Sequence, residues 1–355
     1  MNILKKFFTR VCIDGLSGMA LGLFSTLIVG TIIQQLGLLI GGHIGQCAYY
    51  IGRMAASVTG AGIGVGVAYK FKESPLVTLS AATCGMVGAF ATKILAGATI
   101  LDGATTLAGP GEPLGAFIAA YIGIEIGRIF SGKTQIDIVL TPLISVVSGS
   151  AAGLLVGPSI SKFMNQIGEM INWGAEQKPL LVGIVVSVLM GMALTLPISS
   201  AALGVILNLS GVAAGAATVG CCANMVGFAV ASFRENKFGG LLAQGLGTSM
   251  LQVPNIVKNP LIWLPSIITS AILGPVATCS LIQMTNNATG SGMGTAGLVG
   301  QIMTYQDMAP KRGSVTTIIL IVLLHFILPG LLSLLISEFM RKKKWIKEGD
   351  MKLDI

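Results

Sequence analysis

Residues 196–260 read LPISSAALGVILNLSGVAAGAATVGCCANMVGFAVASFRENKFGGLLAQGLGTSMLQVPNIVKNP. The stretch is apolar and rich in glycine, yet it is interspersed with uncharged amide side chains, namely Asn208, Asn224, Gln244, Gln252 and Asn255. An amide that is buried in hydrocarbon without a hydrogen-bond partner costs several kcal/mol. These amides therefore need partners from protein, water or a ligand, and the stretch predicts a path for a polar solute through a membrane.

The composition of the whole chain supports a membrane location. Of its 355 residues, 53% are hydrophobic and only 10% are charged, whereas soluble domains carry about 25% charged residues. The 48 glycines and 6% aromatic residues indicate helices that approach closely, since small residues let helix backbones touch in lipid. A transmembrane barrel would instead show alternating polarity and aromatic girdles. We therefore expect an all-α polytopic membrane protein.

Apolar runs long enough for membrane helices suggest about ten crossings. They lie near 14–40, 44–70, 75–100, 114–131, 136–161, 180–207, 211–233, 239–256, 261–284 and 314–340. Two further segments, 93–113 and 285–305, are rich in glycine and in polar or proline residues, so we expect re-entrant or broken helices there. The chain then forms one membrane domain over 1–355, with a first half at 1–178, a second half at 179–340 and a basic tail at 341–355.

Basic residues flank the outermost apolar runs. Three of them precede the first run between Lys5 and Arg10, and five follow the last run between Arg341 and Lys347. The positive-inside rule then predicts that both termini are cytoplasmic, although the threading of the second half stays open. No basic stripe carries interleaved aromatic residues, so we expect no nucleic-acid partner. The tail is too short for a soluble domain, and any phosphate-carrying module is expected on another chain.

Short internal matches suggest a two-fold repeat. Gly115–Ala119 aligns with Gly239–Ala243, and Met86–Gly88 aligns with Met225–Gly227. Many transporters hold their substrate between two such repeats near the middle of the membrane. The repeat therefore favours a transporter with one site between two halves.

Further candidate binding residues lie beside helix breakers. Ser199 and Ser200 follow Pro197, which removes a backbone donor and breaks or kinks a helix. Asn286 and Asn287 precede a glycine-rich turn. Together with the five amides, these four residues form the predicted solute-binding set. The alternative is that they bridge helices or form an ordinary turn.

Charged residues in apolar surroundings are candidates for gating or coupling. Glu125 and Arg128 are three residues apart and share a helix face, which suits either a structural or gating ion pair or a role coupled to the solute. Asp102 is expected at the tip of a hairpin.

The remaining residues predict no self-contained catalytic site. His43 and His325 are the only histidines, and the six cysteines show no CxxC spacing. We expect no metal site and no bound cofactor.

Several longer motifs resemble a bacterial membrane family, the IIC-type phosphotransferase-system proteins, also described as toxin regulators after the perfringolysin O regulator. The motifs are Pro197–Ala202 (PISSAA), Gly215–Cys221 (GAATVGC), Met225–Ala229 (MVGFA), Ser232–Asn236 (SFREN), Gly239–Pro260 and Gly292–Gln301 (GMGTAGLVGQ). The resemblance extends over nearly the whole chain, and the block from Ser232 to Pro260 is its most specific part.

What the resemblance implies is a sugar permease subunit in the bacterial cell membrane, at most the permease part of a phosphoenolpyruvate-dependent phosphotransferase system. Separate IIB and IIA phosphocarrier proteins would be its partners, and a homodimer is expected. Well-studied sugar permeases of this class hold the sugar with a glutamate and a histidine in the membrane, and that pair has no evident counterpart here. Two alternatives therefore stay open: a membrane sensor that regulates toxin or metabolic genes, and a transporter or channel for a solute other than a sugar.

Overall fold

The computed structural model describes residues 7, 9–97, 100–101, 104–105, 107, 109–175, 178–198, 200–207 and 209–353. The chain forms two compact units, one extending to Phe163 and the other beginning at Met164. The boundary lies inside a long helix. The expected division into 1–178, 179–340 and a tail stays a prediction.

The first unit consists of helices and one very short hairpin. Its first helix contains π-helical turns at Thr9–Gly15 and Phe24–Ile28. The elements are α1 (Thr9–Ile40), α2 (Gly42–Ser57), α3 (Thr59–Lys70), α4 (Pro75–Ala89), α5 (Ala91–Leu95), β1 (Ile100–Leu101), β2 (Ala104–Thr105), α6 (Pro113–Phe130) and the start of α7 (Asp137–Ala175). The two strands pair antiparallel, Ile100 with Thr105 and Leu101 with Ala104.

The second unit has more interruptions. After the end of α7 it contains α8 (Pro179–Thr195), α9 (Ser200–Ile206), α10 (Gly211–Ala231), α11 (Phe233–Leu242), α12 (Val253–Lys258), α13 (Leu264–Thr278), α14 (Ala288–Ser291), α15 (Val299–Arg312) and α16 (Ser314–Lys342). A π-helical turn at Ala243–Gly247 and a 3-10 turn at Ser249–Gln252 join α11 to α12. Another 3-10 turn, Pro260–Trp263, precedes α13.

The described helices include six that are long and apolar enough to cross a membrane, namely α1, α6, the first part of α7, α10, α13 with its preceding turn, and α16. The pair α2 and α3 meets at 53° and makes a seventh if it is one broken span. Shorter apolar helices lie at Pro75–Ala89 and Leu180–Thr195. The predicted all-α polytopic membrane fold is confirmed, whereas the number of ten crossings stays a prediction.

Glycine allows the helices to pack with their backbones in contact. A Cβ atom at Gly22 of α1 would lie 2.2 Å from the carbonyl oxygen of Gly62 in α3. In the second unit, a Cβ atom at Gly220 of α10 would lie 1.9 Å from the carbonyl oxygen of Ser187 in α8. No larger side chain fits at such distances, so these glycines set the helix separation.

The two segments expected to be broken are irregular over their described residues. The short α5 and the hairpin occupy the first one. In the second, α14 is only four residues long, and Gly297 and Leu298 both have positive φ, at +53° and +59°. A left-handed residue interrupts the helical hydrogen-bond ladder, so α15 can begin only at Val299.

The segments that suggested a repeat have different local structures. Gly115–Ala119 lies inside the membrane helix α6, whereas Gly239–Ala243 spans the end of α11 and the π-helical turn after it. Lys237 in α11 has φ +52° and kinks that helix. The internal repeat therefore stays a prediction.

Candidate functional site

The second unit buries most of the predicted solute-binding residues. Their side chains are buried at Ser200, Asn224, Gln244, Gln252, Asn255 and Asn286, and partly buried at Asn287. Ser199 and Asn208 lie outside the described residues. The structure arranges the described members in three groups around α10 rather than in a single cluster.

The first group centres on Asn224, in the middle of α10. Its Oδ1 accepts hydrogen bonds from Trp263 Nε1 at 2.9 Å and from Thr195 Oγ1 at 3.2 Å. Its Nδ2 donates to the carbonyl oxygen of Gly220 at 3.1 Å and to Ser270 Oγ at 3.2 Å. All four hydrogen-bonding positions of the amide are filled, so Asn224 ties α8, α10 and α13 together.

The second group is a chain of amides between α11 and α12. Gln244 Nε2 donates to Ser232 Oγ at 2.9 Å, Gln252 Nε2 donates to Gln244 Oε1 at 2.8 Å, and Asn255 Nδ2 donates to Gln252 Oε1 at 2.9 Å. The kink in α11 and the turns that follow it bring these side chains to one place. In a continuous helix, Gln244 and Gln252 would lie about 12 Å apart along the axis, too far for a hydrogen bond.

The C-terminal tail completes this amide chain. The carbonyl oxygen of Met351 accepts from Gln252 Nε2 at 2.9 Å and from Asn236 Nδ2 at 2.8 Å. The carbonyl oxygen of Lys352 accepts from Asn255 Nδ2 at 2.8 Å. Met351 is fully buried. The amides that predicted a solute path therefore hold the backbone of the chain's own tail.

The third group surrounds Asn286. Its Nδ2 donates to Thr218 Oγ1 at 2.8 Å and to the carbonyl oxygen of Gly300 at 3.2 Å, while its Oδ1 accepts from the backbone N–H of Asn287 at 2.8 Å. Asn287 Oδ1 caps α14 by accepting from the N–H of Gly290 at 2.9 Å. These contacts fix the broken segment against α10.

A fourth polar group was not predicted as a site from the sequence. Gln301 Nε2 lies 3.0 Å from His325 Nδ1, and both side chains are buried, together with that of Thr304. Three buried atoms in this group, Gln301 Oε1, Thr304 Oγ1 and His325 Nε2, have no hydrogen-bond partner within the described residues. The spacing of Gln301 and Thr304 shows that they share a helix face, but no local pattern brings His325 to that face.

In the first unit, Glu125 belongs to a larger ion-pair network than the sequence predicted. Its Oε1 pairs with Arg10 Nε at 2.5 Å, and its Oε2 pairs with Arg128 Nη2 at 2.8 Å. Arg10 also pairs with Glu73 at 2.7 Å and stacks over the ring of Phe71. The network joins α1, α6 and the turn after α3. Asp102, the third candidate, lies outside the described residues.

Comparison with known families decides the identity of the fold. A model of the family described as Phosphotransferase system, EIIC, matches residues 13–353, nearly the whole chain. The chain belongs to the phosphotransferase system EIIC family. It is thus a multi-pass membrane permease subunit of such a system, and the IIB and IIA phosphocarrier proteins are its partners. No curated protein matches the sequence.

The polar groups of this EIIC chain suit recognition of a neutral solute. Amides and hydroxyls supply both donors and acceptors without placing a net charge in an apolar interior. In the groups around Asn224 and Asn286, these donors and acceptors are hydrogen-bonded within the second unit. In the chain of Gln244, Gln252 and Asn255, they are bonded to one another and to the tail. Of these four groups, the Gln301 group alone contains buried atoms that lack a hydrogen-bond partner within the described residues.

Proposed function

We propose that this EIIC chain binds a small polar solute, a sugar or polyol, in its second unit and moves it across the bacterial cell membrane. The observation that carries the proposal is the group of three unpaired atoms at Gln301, Thr304 and His325. A buried polar atom without a partner costs about 1–3 kcal/mol. A solute that supplies those partners regains this free energy on binding.

The chemistry of this group fits vicinal hydroxyls. Because the amide nitrogen of Gln301 faces His325 Nδ1, that ring nitrogen is the acceptor, and Nε2 carries the proton as a free donor. Gln301 Oε1 is a free acceptor, and the hydroxyl of Thr304 can serve as either. A sugar or polyol hydroxyl also both donates and accepts, so adjacent hydroxyls match this set.

The predicted solute-binding residues take supporting positions in this proposal. Asn286 bonds the carbonyl of Gly300, the residue directly before Gln301, and so positions the start of α15. Ser200, through its bond to the carbonyl of Gly292 at 2.7 Å, and Asn287 hold the broken segment. We propose that Asn224 and the chain of Gln244, Gln252 and Asn255 continue the path, and that Ser199 and Asn208 belong to the same path.

Uptake into proteoliposomes tests the proposal. The purified chain, with and without its IIB partner, should take up or exchange at least one member of a panel of labelled sugars and polyols. Gln301→Ala and His325→Phe should reduce binding at least tenfold, about 1.4 kcal/mol, with unchanged expression and oligomer size. Gln46→Ala, an exposed amide in α2, is the matched control. Absence of uptake and binding across the whole panel would refute the proposal.

Alanine variants of Asn224, Gln244 and Asn255 separate solute contact from structural support. Loss of solute binding with a normal elution profile would place these amides on the path. Loss of folding instead would assign them to helix bridging. Both results are compatible with a solute site at Gln301.

A membrane sensor is the second candidate, because the tail occupies Gln252 and Asn255. A sensor would bind solute without translocating it and would pass the signal to a partner through the basic residues after Arg341. Removing residues 341–355 should then abolish the change in downstream gene expression while binding persists. Unchanged expression without the tail would exclude this role.

Orientation, assembly and gating complete the proposal. We propose that both termini face the cytoplasm, that the chain forms a homodimer, and that the ion pairs of Glu125 and Arg128, with Asp102, act in gating. Labelling of single cysteines placed after Leu353 in right-side-out vesicles tests the orientation: labelling without permeabilisation would contradict it. Mass measurement in detergent tests the homodimer.

A further inference from the structure

The end of α16 and the tail enclose a positively charged cleft. Its volume is about 440 Å³, large enough for a phosphate group and part of the molecule that carries it. The lining residues are Arg234, Arg341, Lys344, Ile346, Lys347 and Glu348. The cleft lies entirely within the second unit and is separate from the group at Gln301.

Two of the four cations in the cleft already have acidic partners. Arg234 pairs with Glu338 at 3.0 Å, and Arg341 pairs with Glu235 at 2.8 Å. Lys344 and Lys347 have no ion-pair partner among the described residues. Since Glu348 is the one acid in the lining, the cleft retains an excess of positive charge.

Arg341 supplies the cleft with a fixed, buried cation. Its side chain is only 10% exposed, and its Nη2 donates to the carbonyl oxygen of Ala231 at 3.2 Å as well as to Glu235. Its Nε is buried and has no acceptor within the described residues. Its Nη1 donates to the carbonyl oxygen of Lys347 at 3.5 Å, so the guanidinium fixes the backbone that carries Lys347 and adds a positive charge that cannot move away from the cleft.

The tail is anchored between the two lysines by Ile346 and after them by Asp350. Asn259 Nδ2 donates to Asp350 Oδ2 at 2.8 Å, and the same carboxylate oxygen accepts from the backbone N–H of Lys347 at 2.8 Å. Ile346 is 2% exposed and packs in an apolar cluster with Met351. The cations therefore face the cleft from an ordered backbone rather than from a free chain end.

We propose that this cleft binds the phosphate group of an organic phosphate. Several converging cations, one of them a buried arginine, match a multiply charged oxyanion better than a single carboxylate. Two sources can supply that group: a soluble phosphate monoester, or the headgroup of an anionic phospholipid. The site is independent of the proposed solute and would exist whatever the permease carries.

Binding measurements on the intact chain in detergent test the soluble source. Titration with glycerol phosphate, with acetate at equal ionic strength as the control anion, should show saturable binding of the phosphate monoester. Lys347→Gln and Lys344→Gly should each weaken it roughly tenfold, the loss of one charge-assisted hydrogen bond. Lys344 has φ +60°, a conformation that glycine adopts readily, so this substitution removes the cation and leaves the backbone of the tail unstrained.

Lys342→Gln is the matched control, because Lys342 belongs to the same basic run and is exposed, yet does not line the cleft. A second arm compares nanodiscs of neutral phosphatidylcholine with nanodiscs that contain phosphatidylglycerol, using thermal stability as the readout. Stabilisation by the anionic lipid that Lys344→Gly and Lys347→Gln abolish, and Lys342→Gln does not, assigns the site to a headgroup. No selective binding in either arm, or equal effects of all three substitutions, would overturn the proposal.

Discussion

Replacing Gln252 by alanine should release the C-terminal tail, because this side chain lies between the amide chain and the tail backbone. Gln252 is fully buried. It donates to Gln244 Oε1 at 2.8 Å and to the carbonyl oxygen of Met351 at 2.9 Å, and it accepts from Asn255 Nδ2 at 2.9 Å. The substitution removes all three hydrogen bonds at once.

The magnitude depends on what each former partner retains. Met351 keeps its bond from Asn236, and Asn255 keeps its bond to Lys352, so each loses only a net hydrogen bond, about 0.5–1.5 kcal/mol. Gln244 Oε1 accepts from no other donor within the described residues, so it loses its partner entirely, at a cost of about 1–3 kcal/mol. Allowing for partial relaxation, the docked state of the tail should lose about 2–4 kcal/mol.

Hydrogen exchange measures this loss directly. The backbone N–H of Leu353 is protected in the docked tail by its bond to Asn236 Oδ1 at 2.9 Å. A loss of 2–4 kcal/mol corresponds to exchange that is faster by about 30- to 700-fold, since about 1.4 kcal/mol is a factor of ten. Amides in α6 of the first unit should keep their rates. The control Gln46→Ala replaces an exposed amide and should change no rate in the tail.

Unchanged exchange at Leu353 in Gln252→Ala would refute the reasoning, because it would show that the tail is held without the amide chain. Faster exchange in both units would mean instead that the substitution unfolds the protein as a whole. A second variant, Asn255→Ala, should accelerate exchange less, since Asn255 contributes one bond to the tail and one to Gln252.

Four further substitutions test the ion pairs, the helix packing and a left-handed backbone position by thermal unfolding in detergent. Glu125→Gln should destabilise the chain by about 1–3 kcal/mol, because Arg10 loses one of its two carboxylate partners in a partly buried site. A change in the free energy of unfolding below about 0.5 kcal/mol would show that water screens the ion pairs. Gly220→Ala should lower the free energy of unfolding by several kcal/mol, because the added Cβ forces α8 and α10 apart. Gly239→Ala places its Cβ more than 4 Å from any atom other than the neighbouring backbone and should be neutral or stabilising. Equal destabilisation by both substitutions would contradict the role of glycine in close helix packing. Lys344→Gly should raise stability by about 1 kcal/mol by relieving its left-handed backbone, and a lower melting temperature would show that the lysine side chain itself stabilises the tail.

Part of the candidate site could be predicted from the amino-acid types alone. Uncharged amides in an apolar run must be bonded, and in the structure Asn224, Gln244, Gln252 and Asn255 are. What the pattern could not show is the identity of their partners. Lys352 is 97 residues from Asn255 along the chain, and no local periodicity relates two such segments.

The ion-pair network shows the same division. The spacing of Glu125 and Arg128 predicted their contact, because residues three apart on a helix are neighbours. The positive-inside rule assigns Arg10 only a role in the orientation of the chain in the membrane, yet Arg10 makes the shortest contact with Glu125. Its position near the start of α1 gave no indication of this, since the contact depends on how α1 packs against α6.

The sequence by itself determined that this is a helical membrane protein with closely packed helices. The length of the apolar runs, the low charge and the many small residues can each be read from one segment at a time, without knowledge of which segments meet. Only the tertiary structure decided what the buried polar groups do. Hydrogen bonds require two partners at about 3 Å, and the fold alone brings together Gln301 and His325, or the amide chain and the tail. The stretch from Leu196 to Pro260 thus specified the need for partners, and the path of the chain through the second unit supplied them.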